Sequence, residues 1–226
     1  MTTIKSKTLK IDYFSYFRAF FNLMKPRVMS LVIFTCAVGL LIAPEKISFT
    51  NAICSLIAVA LGSGGAGALN MWYESDLDSL MTRTCLRPIP TGKLTKNQAL
   101  IFGILSSVIS IIALYTFSNL ISASILAITI LFYFFVYTVW LKRKTPQNIV
   151  IGGAAGALPP VIGWAIATNG ISLEPIILFL IIFVWTPSHF WALSLYKTDD
   201  YRKARIPMLP ITSGIQLALL LITGQL

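Results

Sequence analysis

Long runs of apolar residues, almost free of charge, constrain this chain more than any other feature of its sequence. A helix of about 20 apolar residues crosses a ~30 Å hydrocarbon core. We identify six such runs, the first of them short and expected to begin within the preceding KPR: roughly residues 28–43, 51–72, 99–118, 121–141, 149–168 and 175–196. A seventh run, from about 211 to 226, has the pattern of a helix cut off partway. The sequence therefore predicts an all-α, polytopic transmembrane helix bundle with six complete spans and a partial seventh.

The composition excludes a soluble globular domain. The chain is 56% apolar and 12% charged, against about 45–50% and about 25% in soluble domains. We expect residues 1–226 to form a single integral-membrane domain. Residues 1–27 are basic and rich in aromatic side chains, which predicts an interfacial helix leading into the first span. A mitochondrial transit peptide is the alternative interpretation of this leader.

The net charge of +10 raises the question of nucleic-acid binding, but the distribution of charge argues against it. All but one of the 18 basic residues fall in the N-terminal segment or in the loops after spans two, four and six. This is the pattern of topology signals and of contact with anionic lipid. We therefore expect no nucleic-acid partner, and we expect these segments to face the cytoplasm of a bacterium. The inner (plasma) membrane is the predicted location, with the mitochondrial inner membrane as the alternative.

A first cluster of polar residues follows span two, in the segment 70–92. Asn70, Glu74 and Asp78 are spaced four residues apart, which places three oxygen ligands along one face of a helix. Carboxylate and amide oxygens suit Mg²⁺, which keeps positions open for water and substrate phosphates. Asp76 lies off that face, and we expect it to support the site or to bind a second ion.

Two arginines continue this segment. Arg83 and Arg87 are again four residues apart, and a guanidinium group donates to phosphate oxygens in a planar fork. Pro88, Pro90 and Gly92 then end any helix and turn the chain. The alternative is a solvated loop of mixed charge with no ligand.

A second cluster follows span six. Asp199 and Asp200 precede a basic stretch, and Tyr196 and Asp200 are four residues apart. The acids are candidates for the other half of a metal–diphosphate site, with Tyr196 and Lys197 beside them. The alternative is a basic loop with two neutralising acids.

Four further positions are candidates for substrate binding. Lys25 and Arg27 precede span one, and Asn148 begins span five next to a basic loop. Their cations serve either as topology signals or to attract an anionic substrate. His189, which is the one histidine of the chain, either packs inside the bundle or contacts substrate.

Four strings within residues 22–210 together resemble the UbiA superfamily of intramembrane prenyltransferases, and within it the heme-farnesylating members. The strings are LMKPRVMSLVIFT, NMWYESDLDSLMTRTCLRPIPTG, TPQNIVIGGAAGALPPVIGW and TPSHFWALSLYKTDDYRKARIPMLP. The resemblance implies that Asn70, Glu74 and Asp78 form one metal–diphosphate motif and that Asp199 and Asp200 form the other. Glu74 stands where the family usually has aspartate. The family fold has nine transmembrane helices, so the resemblance also implies a domain incomplete at its C-terminus.

The resemblance implies transfer of a farnesyl group from farnesyl diphosphate to a vinyl group of protoheme IX (heme B), which gives heme O, with Mg²⁺ as cofactor. It also implies a heme-side role for His189 and association with heme A synthase or terminal-oxidase assembly. The alternatives are a UbiA-type enzyme for an aromatic acceptor such as 4-hydroxybenzoate, and an inactive truncated relic. A cation transporter or channel is disfavoured, because its ionisable groups would lie near midspan rather than at span ends.

Overall fold

The computed structural model describes residues 13–204, 206–212 and 214, and all regular structure in this part of the chain is helical. The helices, in chain order, are α1 (Tyr13–Leu23), α2 (Pro26–Ile42), α3 (Phe49–Tyr73), α4 (Ser75–Leu80), α5 (Lys96–Phe117), α6 (Leu120–Leu131), α7 (Asn148–Ala157), α8 (Pro159–Thr168), α9 (Leu173–Tyr196), α10 (Thr198–Lys203) and α11 (Leu209–Thr212). A π-helix, Phe132–Leu141, continues α6 without a break and is called the π segment below.

Five of the six predicted spans are helices long and apolar enough to cross a membrane: α3, α5, α6 with the π segment, α7 with α8, and α9. The first predicted span is α2, which has 17 residues and begins at Pro26, within the KPR as expected. It reaches membrane-crossing length only together with α1, from which it is bent by 52°. The predicted polytopic helix bundle is thus confirmed. The predicted seventh span lies almost entirely outside the described residues.

The predicted interfacial leader is helical over its described part. Helix α1 buries Ala19 and Leu23 and exposes Tyr13, Phe14 and Phe17, so one face packs on the bundle and the other is free to contact lipid headgroups. Residues 1–12 of the leader lie outside the described residues. Lys25 joins α1 to α2 in the left-handed backbone region (φ 54°).

Small residues let the helices approach closely. This is usual in membranes, where the hydrophobic effect does not drive helices together and close packing stabilises their association instead. Helix α2 packs against α8, and the two cross where Gly39 meets the backbone of Pro160 and Gly163 meets the carbonyl of Cys36. A side chain at either glycine would overlap the opposite backbone. Helix α3 packs against α5 in the same way, with Gly65 against Gly103 and Ser107.

Two irregularities interrupt the regular α-helical spans. The fifth span is divided at Leu158, where Pro159 and Pro160 begin α8, because proline lacks the N–H that would continue α7. The π segment is wound by bonds to the fifth preceding residue, as in Lys142 N–H to Tyr137 O at 3.0 Å. It ends at the basic loop Lys142–Lys144 and so presents that loop beside the end of α3.

Candidate active site

The first polar cluster is built where α3 ends. The expected single helix through Asn70, Glu74 and Asp78 is wrong in detail, because α3 ends at Tyr73 and α4 begins at Ser75. Glu74 occupies the junction (φ −94°, ψ 10°). The bonds Glu74 N–H to Asn70 O (3.0 Å) and Asp78 N–H to Glu74 O (2.8 Å) nevertheless continue the helical pattern. All three side chains are buried, with at most 1% of each residue exposed.

Each of the three side chains is held by a cation. Lys25 Nζ donates to Asn70 Oδ1. Lys142 Nζ lies 2.5 Å from Glu74 Oε2, and Arg87 Nη1 lies 2.8 Å from both carboxylate oxygens of Asp78. A buried carboxylate is tolerable only when it is paired and hydrogen-bonded. The cluster therefore brings two buried carboxylates and three basic side chains together at the end of the bundle.

Asp76 lies on the exposed side of α4, off the face of the other acids, as its spacing predicts. Arg143 donates to its two oxygens at 2.9 and 3.1 Å, and the guanidinium lies 5.0 Å from the centre of the Tyr73 ring. Partial burial opposes ionisation of Asp76, but the hydrogen bonds from Arg143 outweigh it and hold the pKa of Asp76 below its usual value. Its predicted role at a metal stays a prediction.

The second polar cluster touches the first segment. Asp200 Oδ1 accepts hydrogen bonds from the hydroxyl of Thr82 at 2.7 Å and from the backbone N–H of Thr82 at 3.2 Å. These bonds hold the pKa of Asp200 below its usual value. Asp199 pairs with Arg202 at 3.4 Å, and both are exposed. The loop after α4 and helix α10 are therefore in contact, with Asp200 turned to that loop and Asp199 to solvent.

Four of the predicted substrate-binding positions carry charged or phenolic side chains that are exposed at the surface. They are Arg27, Arg83, Tyr196 and Lys197. Tyr196 is the extreme case, with 85% of its surface exposed. Their predicted roles would require a substrate that reaches the exposed polar end of the bundle.

Two further predicted positions, Asn148 and His189, make contacts with their own surroundings. Asn148 is buried, and its amide nitrogen donates to Thr145 O at 2.6 Å and to Pro207 O at 3.2 Å, which ties the start of α7 to the segment before α11. His189 is exposed on α9 and stacks on Trp185, with ring centres 4.4 Å apart. Its surface position does not match the interior packing that a lone membrane histidine suggests.

An apolar cavity opens beside Lys25. Its walls come from α2, α3, α6, α7 and α8, and they are mainly aliphatic, including Val28, Val59 and Ile162. Polar side-chain atoms come from Lys25, Ser63, Thr129 and Tyr133, and Lys25 is the one charged side chain on the lining among the described residues. Because the same Lys25 binds Asn70, the cavity and the polar cluster share a boundary.

The donor set suits Mg²⁺ in chemistry. Asn70, Glu74 and Asp78 offer hard oxygen atoms, and Glu74 Oε1 is buried with no hydrogen-bond partner. Within residues 13–204, 206–212 and 214, however, no three acidic, histidine or cysteine side chains converge on one point. Mg²⁺ is usually held by one or two carboxylates together with substrate phosphates rather than by an all-protein cage. These residues therefore fit an ion that enters with a diphosphate.

Reasoning from sequence missed two parts of this cluster. The sequence predicted only that the loop with Lys142 and Arg143 is a topology signal or attracts an anion. In the structure each of these residues pairs with an acid of the first motif. Thr82 and Thr138 were not among the predicted site residues. The spacing of four between Thr138 and Lys142, at the end of an apolar run, is the pattern that would have placed these two residues on one helix face.

Comparison with known proteins tests the family resemblance of the sequence. The model of the UbiA prenyltransferase family matches residues 32–226. A protoheme IX farnesyltransferase of Pelagibacter ubique is 70% identical over 214 residues, which are 94% of this chain and 70% of that protein. Protoheme IX farnesyltransferase 2 of Mesorhizobium japonicum is 58% identical over 195 residues, which are 86% of this chain and 62% of that protein.

Solved structures share the fold. A UbiA homolog from Archaeoglobus fulgidus bound to DMAPP and Mg²⁺ superposes with a TM-score of 0.78 at 16% identity, over 91% of this chain and 73% of that one. A digeranylgeranylglyceryl phosphate synthase gives a TM-score of 0.75 at 18% identity, over 93% of this chain and 73% of that one. With the matches in sequence, these establish that the chain belongs to the UbiA prenyltransferase family.

Proposed function

We propose that this chain transfers a farnesyl group from farnesyl diphosphate to a vinyl group of protoheme IX, with Mg²⁺ bound at the first polar cluster. The observation that carries the proposal is the placement of buried Asn70, Glu74 and Asp78, each beside a cation, next to an apolar cavity that begins at Lys25. A substrate with a charged head and an apolar tail matches these two environments.

The cations of the cluster would bind and neutralise the diphosphate. Lys25, Arg87 and Lys142 already lie at the buried ends of the polar side chains, where phosphate oxygens would replace their present partners. Neutralising the leaving diphosphate lowers the barrier to breaking the allylic C–O bond. Mg²⁺ held by Asn70, Glu74 and Asp78, with Asp199 and Asp200 from the second segment, would add Lewis-acid stabilisation of the same oxygens.

The apolar cavity would take the prenyl chain. Its walls exclude water, which protects a positively charged allylic carbon from hydrolysis. Tyr133 lines the cavity near Lys25, and the face of an aromatic ring stabilises a cation. The chain thus supplies binding, orientation and a dry environment for the transfer.

The choice of protoheme IX as acceptor rests on the relatives. The names of the Pelagibacter ubique and Mesorhizobium japonicum proteins specify this acceptor, and the identity of 70% to the first spans 94% of this chain. No described cavity by itself distinguishes a porphyrin from a smaller aromatic acceptor. The acceptor is therefore the first quantity to test.

The distribution of charge supports the orientation and the location. We propose that the basic ends of the bundle, with both polar clusters, face the cytoplasm across a bacterial inner membrane. Association with heme A synthase or with terminal-oxidase assembly stays a prediction, and it follows from the need for a protein that consumes heme O.

The test is an assay in membranes with heme B, farnesyl diphosphate and Mg²⁺, in which heme O is separated by chromatography. This chain would be compared with a chimera that adds the C-terminal part of the Pelagibacter ubique relative, since the chain spans 70% of that protein. Asp78→Ala and Asp200→Ala are the site variants, and 4-hydroxybenzoate is the control acceptor.

Heme O formation by the parent chain or the chimera, lost in both variants, is the expected result. Prenylated 4-hydroxybenzoate without heme O would replace the acceptor and keep the prenyl transfer. The absence of any prenylated product from the chimera would overturn the proposed function.

A further inference from the structure

A continuous run of hydrogen bonds links Lys25 to the backbone of the π segment. Lys25 Nζ donates to Asn70 Oδ1, Asn70 Nδ2 donates to Thr138 Oγ1 at 3.0 Å, and Thr138 Oγ1 donates to Tyr133 O at 2.9 Å. Asn70 and Thr138 are 68 residues apart in the chain, and Thr138 has no exposed surface. No step of the proposed reaction uses this threonine directly.

We propose that Thr138 is a positioning residue that fixes the orientation of the Asn70 amide, so that the amide oxygen is the atom offered to Mg²⁺ and diphosphate. This inference rests on the proposed function, because it assigns a purpose to Asn70. It concerns a residue that would touch neither the metal nor the substrate.

The inventory of protons makes the orientation unique. A threonine hydroxyl has one proton, and in Thr138 that proton is directed to Tyr133 O. Its oxygen can then only accept, so the group of Asn70 that faces it must be the amide NH₂. A reversed amide would set its oxygen against the lone pairs of Thr138 and its NH₂ against the ammonium group of Lys25. Both contacts are repulsive.

The π segment brings Thr138 into this position. In an α-helix a threonine hydroxyl bonds to the carbonyl three or four residues earlier. Here it reaches the fifth preceding carbonyl, that of Tyr133, in a segment of ten π-helical residues. Because wider turns change which face each side chain occupies, the winding of Phe132–Leu141 sets the direction of Thr138 toward α3. Such segments are rare and are frequent at functional sites.

The experiment measures Mg²⁺-dependent binding of inorganic diphosphate by calorimetry, together with thermal unfolding, on the purified full chain in lipid nanodiscs. Thr138→Val removes the acceptor and keeps the shape, and Thr138→Ser restores the hydroxyl. Thr186→Val is the matched control, because Thr186 is a buried threonine whose hydroxyl donates to Ile182 O within its own helix. Asn70→Asp is the partner variant, since the two oxygens of a carboxylate are equivalent and leave no orientation to fix.

We expect Thr138→Val to weaken binding roughly tenfold, the effect of losing one buried hydrogen bond that orients a ligand. Thr138→Ser should bind within about twofold of the parent, as should Thr186→Val. In the Asn70→Asp background, adding Thr138→Val should weaken binding by less than about twofold, because coupled residues lose their effect together.

Three results would overturn the inference alone: parental affinity in Thr138→Val, an equal loss in Thr186→Val, or a tenfold loss that persists in the Asn70→Asp background. A lower melting temperature in Thr138→Val with unchanged affinity counts among them, since it describes a structural role. The absence of Mg²⁺-dependent binding by the parent would overturn the proposed diphosphate site, and this inference with it.

Discussion

The hydroxyl of Thr82 lies 2.7 Å from Oδ1 of Asp200, across 118 residues of chain. The backbone N–H of Thr82 donates to the same oxygen, so the carboxylate is aimed at the loop that follows α4. This contact is the one described hydrogen bond between the side chains of the two motif segments, and it sets the direction of the Asp200 carboxylate.

Thr82→Val tests that contact. We expect it to free the Asp200 carboxylate and to weaken Mg²⁺-dependent diphosphate binding roughly threefold, because one of two hydrogen bonds to an exposed charged group is lost. Thr91→Val is the control, since the hydroxyl of Thr91 in the same loop donates to Arg87 O. Calorimetric titration of both variants checks the prediction, and equal affinities would contradict it.

The Arg87–Asp78 pair separates stability from activity. Arg87→Leu leaves the carboxylate of Asp78 buried without its cation, so we expect a loss of about 3–5 kcal/mol in the free energy of unfolding. Adding Asp78→Leu removes the orphaned charge and should recover most of that loss, because a buried pair can often be replaced by apolar residues. The double variant should be stable but should not catalyse prenyl transfer. Chemical denaturation and the heme O assay measure the two quantities.

Lys142 and Lys144 form a natural comparison in one loop. Lys142 is paired with buried Glu74, whereas Lys144 is exposed. Lys142→Met should lower prenyl transfer by at least roughly tenfold, since both oxygens of Glu74 then lack a partner, while Lys144→Met should change it by less than about twofold. Equal losses would show that general attraction by the basic loop, not the specific pair, supports the reaction.

The apolar cavity predicts a dependence on prenyl chain length. Gly156 lines the cavity, and a Cβ atom there would meet nothing within 4 Å, so the side chain of Gly156→Leu begins in open space. We expect kcat/KM for farnesyl diphosphate to fall roughly tenfold relative to that for geranyl diphosphate. Competition between the two diphosphates measures the ratio. An unchanged ratio would place the prenyl chain elsewhere.

The crossing of α2 and α8 predicts a loss of stability. A methyl group at Gly163 would overlap the carbonyl of Cys36. Because both contacting groups belong to the backbone, the overlap can be relieved only by moving the two helices apart. Gly163→Ala should therefore lower the free energy of unfolding by roughly 1–3 kcal/mol. Gly156→Ala, at an open position, should lower it by less than about 1 kcal/mol. Thermal unfolding in nanodiscs compares the two variants, and equal stabilities would contradict the predicted clash.

The spans could be predicted from sequence because the requirement that creates them is local. An apolar run long enough to cross the bilayer must become a helix to satisfy its own backbone, and the starts of α2, α5 and α9 fell within a few residues of expectation. The π winding of Phe132–Leu141 could not be predicted, because the composition of that stretch suits an α-helical span equally well.

The candidate site divides in the same way. The acids and Asn70 were found from their spacing of four, which depends on one helix turn. Their cations were not assigned as partners, because Lys25 is 45 residues from Asn70 and Lys142 is 68 residues from Glu74. Such pairs depend on how the spans pack against one another, and the spacing of residues along the sequence does not reveal that packing. The interruption at Glu74 was not predicted. It is a small one, because the backbone bonds on either side keep their helical pattern.

Lys25 shows where stability and function favour different residues. Its backbone lies in the left-handed region at φ 54°, which costs an L-residue with a side chain roughly 1–2 kcal/mol and costs glycine little. Pro26 adds to the constraint by excluding the ordinary helical region for the preceding residue. A glycine would therefore relieve the elbow between α1 and α2, yet it would remove the ammonium group from Asn70 and from the cavity. The chain tolerates a strained joint so that Lys25 stands where the polar and apolar parts of the bundle meet.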